Sequence, residues 1–374
     1  MKIVIAIDKF KGSATSQQLS QAIAEEVLDL LPTAQVVTVP IADGGDGTID
    51  CVKNILGDKA STCHVSVAAP LQQLPRVMAQ YIIDGNTAFI DLATASGLAL
   101  VPQHSRNVME ASTLGTGEMI AHAIAGGARH IVLGLGGSAS CDGGTGILAA
   151  LGFMFIDSDG KVLSPCGESL AAIERIVSDK VPGNVLNTRF TLLCDVDNPL
   201  YGYNGAAHIF APQKGATPLQ VELLDKGLRH FATLLPPHIA LVPGAGAAGG
   251  VAAGMMAMPS VTIKPGIEVL LEMAHFDDLI ANAHLVITGE GRIDDQTLHG
   301  KAPAGVLKAA QRKGIPTIAL CGSIAPGTNV TKMGFKQVVP TTPPHMPLKE
   351  AMNTEVTLHN VKSATRRVLS SFFF

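Results

Sequence analysis

The sequence predicts an α/β protein of two domains. One is a discontinuous Rossmann-like or flavodoxin-like parallel-sheet domain built from residues 1–60 and 265–374. The other, residues 61–264, is an inserted mixed α/β domain with an antiparallel hairpin element. Three observations lead there. At 374 residues the chain is longer than one hydrophobic core ordinarily serves. Short apolar runs alternate with helical stretches near both ends, the pattern of a parallel sheet covered by helices. A content of 39 glycines with only 4% aromatic residues and no Trp suits helices packed closely on a sheet.

The elements follow in order. Residues 2–7 read as a strand ending at Asp8, and Ser16 is expected to cap a helix over about 17–31, with Leu19, Ile23, Val27 and Leu30 on one face. Pro32 closes that helix, and Val36–Val39 is the next strand. His64–Ala69, Val77–Ile83 and Thr87–Leu92 are strand-like, the last two joined by Asp84-Gly85-Asn86, a hairpin signal. Leu114–Ile124 reads as a helix, and His130–Leu133 and Phe190–Leu193 as strands. Leu285–Ile287 is a strand entering a turn at Gly289, Ala304–Gln311 a helix, and Thr317–Leu320 a strand ending at Cys321-Gly322. Phe372-Phe373-Phe374 carries no functional signal.

Composition excludes several classes. Net charge is −4 with 16% charged residues and no Lys/Arg block, which argues against a nucleic-acid surface. The six cysteines show no C-x-x-C and no paired spacing, so they read as reduced thiols of a cytoplasmic protein. The N-terminus is a strand rather than a signal peptide. Phe231 to Ile263 holds no formally charged residue, yet Pro236, Pro237, Pro243 and Pro259 break it. It reads as a buried strand, a glycine turn and a tightly packed helix rather than a membrane span.

Acidic residues recur inside glycine-rich turns: Ala42-Asp43-Gly44-Gly45-Asp46-Gly47-Thr48, Gly134–Gly144, Cys194-Asp195-Val196-Asp197-Asn198 and Thr288–Asp294. Glycine lets backbone N–H groups approach a phosphate, and a neighbouring carboxylate can hold Mg²⁺ or accept a proton from a hydroxyl. Asp43, Asp46 and Asp142 are candidate metal ligands; Gly134, Gly136, Gly137, Ser138, Gly143 and Gly144 are candidate phosphate-binding positions. Asp195 and Asp197 leave one strand end and, two residues apart, are expected to share a face. Lys11, with Ser13, follows the first strand as a cationic clamp for phosphate or carboxylate. Glu290, Arg292 and Asp294 alternate after another strand, with Lys301 beyond, and mixed charge there suits a substrate carrying carboxylate and phosphate. The P-loop pattern G-x-x-x-x-G-K-[ST] and the protein-kinase motifs do not occur.

Taken together, Asp8-x-Phe10-Lys11-Gly12-Ser13, the Asp43 turn, Gly115-Thr116-Gly117-Glu118, Gly134–Gly146, Cys194–Leu200, Ala211–Ala216 and Thr288–Lys301 resemble the bacterial glycerate kinases, including the glycerate 2-kinases. The resemblance runs in order to about residue 325, and departs at Lys9, where a small hydroxyl residue is usual, and at Cys141, where Asn is usual. It implies ATP-dependent phosphorylation of D-glycerate, chiefly at the 2-hydroxyl, with Mg²⁺, in a cleft between two domains. Under that reading glycine turns including Gly134–Gly146 hold the nucleotide, with Asp43, Asp46 or Asp142 at the metal. Lys11 or Arg292 grips the glycerate carboxylate, helped by Ser13, Asp294 and Lys301. Asp195 accepts the hydroxyl proton, with Asp197 as the alternative. The oligomeric state stays open. The rivals are phosphorylation at the 3-hydroxyl, a sugar-acid binding protein, a phosphatase, and a nicotinamide-dependent oxidoreductase using Gly134-x-Gly136-x-x-Ala139 and Asp157.

Overall fold

The computed structural model describes residues 1–373 apart from Asp43, Gly45, Asp46, His299 and Gly300, and of Gln296 only the backbone. The chain divides into two units, Met1–Asp43 with Pro265–Phe374, and Gly44–Lys264. Its strands in chain order are β1 (Lys2–Ile5), β2 (Gln35–Thr38), β3 (Ser61–Val67), β4 (Val77–Asp84), β5 (Thr87–Asp91), β6 (His130–Gly134), β7 (Met154–Ile156) and β8 (Arg175–Val177). They continue as β9 (Arg189–Leu193), β10 (Val261–Lys264), β11 (Leu285–Ile293), β12 (Thr317–Ile324) and β13 (Gln337–Pro340).

The first unit holds a five-stranded sheet in the order β13-β12-β11-β1-β2, parallel throughout. Because side chains alternate along a strand, the run from Ile3 to Ile7 serves two cores at once. Ile3, Ile5 and Ile7 pack with Leu19, Ile23 and Val27 of the helix Ser16–Leu30 and with Val361, Val368 and Leu369 of the helix Thr354–Phe373. Val4 and Ala6 pack on the other face with Ile267 and Leu271 of the helix Gly266–Met273 and Val306 of the helix Ala302–Arg312.

The cap of the first helix is Thr15 rather than Ser16. Thr15 Oγ1 accepts from Gln18 N at 3.2 Å, and Gln18 Oε1 accepts from Thr15 N at 3.0 Å, a reciprocal capping box. Ser16 instead donates to Ile7 O at 2.6 Å. The turn expected at Gly289 is also absent: β11 runs straight through it to Ile293, beside β12 as far as Ile324. Gly289 is needed for close approach, since a Cβ there would lie 1.8 Å from Leu320 O.

The second unit holds a mixed six-stranded sheet, β10-β9-β6-β5-β4-β3, and the small pair β7-β8. β5, β6, β9 and β10 run parallel, while β4 and β3 are antiparallel additions through the expected hairpin, with Gly85 at φ +57°. The helix Thr48–Leu56, expected in the first domain, belongs here because it packs on β4 and β5, and Ile49 N donates to Asp91 Oδ2 at 3.2 Å. The uncharged stretch after Phe231 contains no strand before its helix. The helix Pro218–Thr233 ends, a single turn follows at Ile239–Leu241, and then comes Ala247–Met256, left-handed at Ala248, Gly249 and Gly250 and helical beyond them. Pro236 and Pro237 lack the N–H a strand ladder needs. No helix among the described residues is long and apolar enough to cross a membrane.

Candidate active site

In the first unit, the segment after β1 carries its pairing with β11 onward, with Ala6 N donating to Ile287 O at 2.8 Å and Asp8 N to Gly289 O at 3.0 Å. Asp8 is thereby fixed, buried, at the carboxyl end of the sheet, where ligands bind in open parallel sheets. The loop then folds over buried Phe10, and Gly12 turns it at φ +77°. Ser13 is tied to the C-terminal helix: its hydroxyl pairs with that of Thr357, and its carbonyl accepts from Thr354 Oγ1 at 2.7 Å.

Beyond the end of β1, β11 and β12 continue side by side and present Glu290, Arg292 and then Asp294, with Arg292 level with Ser323. Lys301, at the start of the helix Ala302–Arg312, reaches Asp294 at 3.1 Å and Glu290 at 3.8 Å. Thr297 donates to Glu290 Oε1 at 2.7 Å. Apart from Thr297, these groups line one cavity of about 600 Å³, which Thr341, Thr342, Met346, Leu348, Ala351, Met352, Thr357 and Asn360 complete.

Lys11, Ser13, Arg292, Asp294 and Lys301, drawn from segments far apart in sequence, thus come together in one pocket. Its charged wall holds Lys9, Lys11, Arg292 and Lys301 against Asp8, Glu290 and Asp294, leaving one positive charge over. Lys301 is engaged with the carboxylates. Lys11 and Arg292 are exposed and make no ion pair among the described residues. Such an arrangement can bind a small dianionic or phosphorylated acid: two available cations grip it, while oriented carboxylates serve a hard cation or a proton.

The carboxyl edge of the second unit's sheet presents different groups. Asp91 ends β5 buried, the Gly134 turn ends β6, and Asp195 and Asp197 follow β9. Asp195 is half-buried and Asp197 exposed. Both lie in irregular backbone past Leu193, so strand alternation does not set them on a common face.

Around the Gly134 turn the structure departs from the expected phosphate cradle. Asp142 is completely buried and accepts from Thr113 N (2.8 Å), Thr113 Oγ1 (2.7 Å), Ser140 Oγ, Gly144 N and Gly146 N (each 3.2 Å). Burial pushes its carboxyl upward, while the Thr113, Gly144 and Gly146 donors pull it back down. With its lone pairs filled from inside the fold, Asp142 organises the loop and has no open coordination site for a metal. Gly143 and Gly144, at φ +64° and +77°, make room for packing: their Cβ positions meet Phe231 and the backbone of Val251. Gly134 is buried, and Ser138 is buried and accepts from Lys214. Only Gly136 and Gly137 reach the surface among the six expected phosphate positions. Asp43 and Asp46 lie outside the described residues.

The same geometry speaks against a dinucleotide site. No helix opens after Gly134-x-Gly136-x-x-Ala139; the next begins at Thr145. Asp157 closes a turn instead, accepting from Asp159 N at 3.0 Å and Lys161 N at 2.8 Å. Sequence reasoning gave no site role to Asp8 or Lys214, though both stand in the motifs it singled out, and passed over the C-terminal contributors Thr341, Thr357 and Asn360. The position of Asp8 at a parallel strand's end was a usable signal; the polar C-terminal helix offered none. The cysteines form no disulfide among the described residues, and burial pushes Cys141 up to about 12 and Cys194 up to about 11, which keeps both protonated.

Comparison with known proteins identifies the family. The family model described as Glycerate kinase family matches residues 3–372. A glycerate kinase of Bacillus cereus is 40% identical over 371 residues, covering 96% of this chain and 97% of its own. A glycerate 2-kinase of Escherichia coli K12 is 41% identical over 336 residues, 88% of this chain and 87% of its own. A crystal structure from Salmonella typhimurium LT2, assigned as a glycerate kinase 2, shares 36% identity at a TM-score of 0.83, covering 100% of this chain and 98% of that one. The family match spans residues of both units and every segment that lines the pocket, and the chain belongs to the glycerate kinase family.

Proposed function

We infer that the protein is an ATP-dependent glycerate kinase that phosphorylates D-glycerate at its 2-hydroxyl. The observation that carries the reading is the pocket of the first unit, where Lys11 and Arg292 stand available beside Asp8, Glu290 and Asp294. Phosphoryl transfer asks a protein mainly for positioning and charge neutralisation, and this wall supplies both. Arg292, with its planar fork, suits the glycerate carboxylate; Lys11, a mobile point charge, suits the transferring phosphate.

A clamp on the carboxylate favours the 2-hydroxyl physically. That group sits on the carbon next to the carboxylate, so fixing one leaves the other little freedom. The 3-hydroxyl is a further rotatable bond away. The Escherichia coli relative bears the name glycerate 2-kinase, which supports the same choice.

The donor set fits Mg²⁺. Asp8, Glu290 and Asp294 offer hard oxygen ligands, and among the described residues no cluster of three or more His, Cys, Asp or Glu side chains forms a metal cage. Mg²⁺ ordinarily needs only one or two carboxylates when phosphates accompany it. Glu290 and Asp294 would hold it, and its chemistry when bound with the nucleotide would be neutralisation of charge on the phosphate oxygens. Lys301 keeps both carboxylates oriented. Asp195 is assigned the hydroxyl proton, with Asp197 as its alternative; Asp8 is the competing carboxylate within the pocket.

The test mixes protein, ATP, Mg²⁺ and D-glycerate, follows ADP release and identifies the product by ³¹P NMR. The expected product is 2-phosphoglycerate, formed only with glycerate present. Product at C3 overturns the regiochemistry, and no phosphorylated acid at all overturns the function. In the same assay Asp195→Asn should lose about 10²–10⁴ in rate, the usual contribution of a positioned base. A loss confined to Asp8→Asn moves the base to the first unit.

A further inference from the structure

The pocket of the first unit is too large for glycerate alone. By the share of about 30 Å³ that a water-sized group occupies, a seven-heavy-atom acid needs no more than about 200 Å³. The cavity measures about 600 Å³. Its charged residues gather on the wall formed by the Asp8–Ser13 loop and the β11–β12 arm. The other wall, from β13 onward, contributes Thr341, Met346, Leu348, Met352 and Asn360 and no charge.

Two largely buried polar residues stand on that uncharged wall and keep hydrogen-bonding capacity open to the cavity. Asn360 is 7% exposed, and its carboxamide makes a single contact, Nδ2 to Met346 Sδ at 3.6 Å. Thr341 is 5% exposed, and its hydroxyl makes no hydrogen bond among the described residues. A carboxamide with unused acceptor and donor capacity facing a cavity can take a ligand's hydrogen bonds. Around it stand flexible, polarisable methionines, with Leu348 and Met352 exposed at the rim in place of being packed away.

We propose that this wall is the purine subsite of the nucleotide: Met346 and Met352 contact the faces of the base, and Asn360 hydrogen-bonds its edge. An amide presents one acceptor and two donors side by side, which matches the exocyclic amine and adjacent ring nitrogen of adenine. The edge concerned is that of N6 and N7; there guanine presents two acceptors, O6 and N7, which the amide's acceptor–donor pair does not match. The phosphates then extend toward Lys11 and Arg292, so that one cavity receives both nucleotide and acid. The proposal rests on the kinase reading for its choice of ligand, and relocates the base from the Gly134 turn.

The test is calorimetric titration of the full-length protein with ADP and with GDP, alongside KM for ATP and for glycerate. The wild type should bind ADP more tightly than GDP. Asn360→Leu, at an unchanged thermal midpoint, should weaken ADP about tenfold, the loss expected of a hydrogen-bonding pair, and erase the preference over GDP. KM for glycerate should stay within twofold. ADP affinity that ignores Asn360→Leu, or a change only in KM for glycerate, overturns the subsite. Should Asn360→Leu fail to fold, the exposed Met352→Ala replaces it, with weaker ADP binding expected and unchanged binding fatal. Binding is read without turnover, so the two readings fail separately. Tight ADP binding sensitive to both variants, with no phosphorylation of glycerate, ends the kinase reading and leaves the subsite standing. Turnover intact with ADP binding indifferent to both does the reverse.

Discussion

Lys214 carries an ammonium into the interior of the second unit, 3% exposed, where its Nζ donates to Ser138 Oγ at 2.6 Å and Ser140 O at 2.5 Å. It pins the loop whose other anchor is Asp142, so a buried cation and a buried carboxylate brace one turn from two sides. Burial lowers the lysine from its ordinary 10.5 to about 8, against the opposing pull of Cys141 and Asp142. The unfolded chain therefore holds this proton up to 10.5 and the folded chain only to about 8. Between those values the unfolded state binds more protons, so this group makes stability rise with pH there. Lys214→Met removes the group from both states. Urea midpoints of wild type and variant should run parallel below pH 8, and the wild type should gain on the variant from about pH 8 to 10.5. Curves that stay parallel throughout would mean the lysine keeps its ordinary affinity in the fold.

At the scale of elements, glycine does two jobs that sequence alone confuses. Gly254 lies inside the helix Ala247–Met256, where a Cβ would stand 2.1 Å from Gly143 O. Helix and loop touch backbone to backbone, so neither side can yield by turning a side chain. Gly254→Ala should cost on the order of 3 kcal/mol, in the range of an overpacked core, seen as a lowered urea midpoint at unchanged slope. A loss below about 0.5 kcal/mol, the scale of a neutral surface change, would contradict that contact. This double use of glycine explains what the sequence made legible and what it did not. β1, β6, β9 and the β4–β5 hairpin were readable, because apolar runs and a Gly-Asn turn are local signals. The passage of β11 through Gly289 was not, because a glycine demanded by Leu320 across the sheet looks the same as one demanded by a turn. Gly143 and Gly144 were taken for a phosphate cradle for the same reason. In the candidate site, Lys11, Arg292 and Asp294 showed themselves by charge placed after strands. Asn360 and Thr341 did not, since their significance lies in what surrounds them.

For the whole molecule, connectivity makes the two units unequal. Every strand of the six-stranded sheet lies between residues 61 and 264, and its core cluster draws on residues 67–258 alone. The five-stranded sheet instead pairs Ile3 with Leu285, so its centre closes only when both chain ends meet. Closing a loop of that length through disordered chain is slow, and it becomes easier once the intervening segment is compact. The second unit should accordingly fold first and without help. A fragment of residues 44–264 is expected to show a cooperative thermal transition with near-native helix and strand content by circular dichroism. It is also expected to bind no ADP, because Asn360, Met352 and Lys11 all belong to the other unit. A fragment that stays unfolded would show that the second core depends on the first. A folded fragment that binds ADP as tightly as the full chain would return the nucleotide to the second unit, where the sequence placed it at the glycine turn that ends β6.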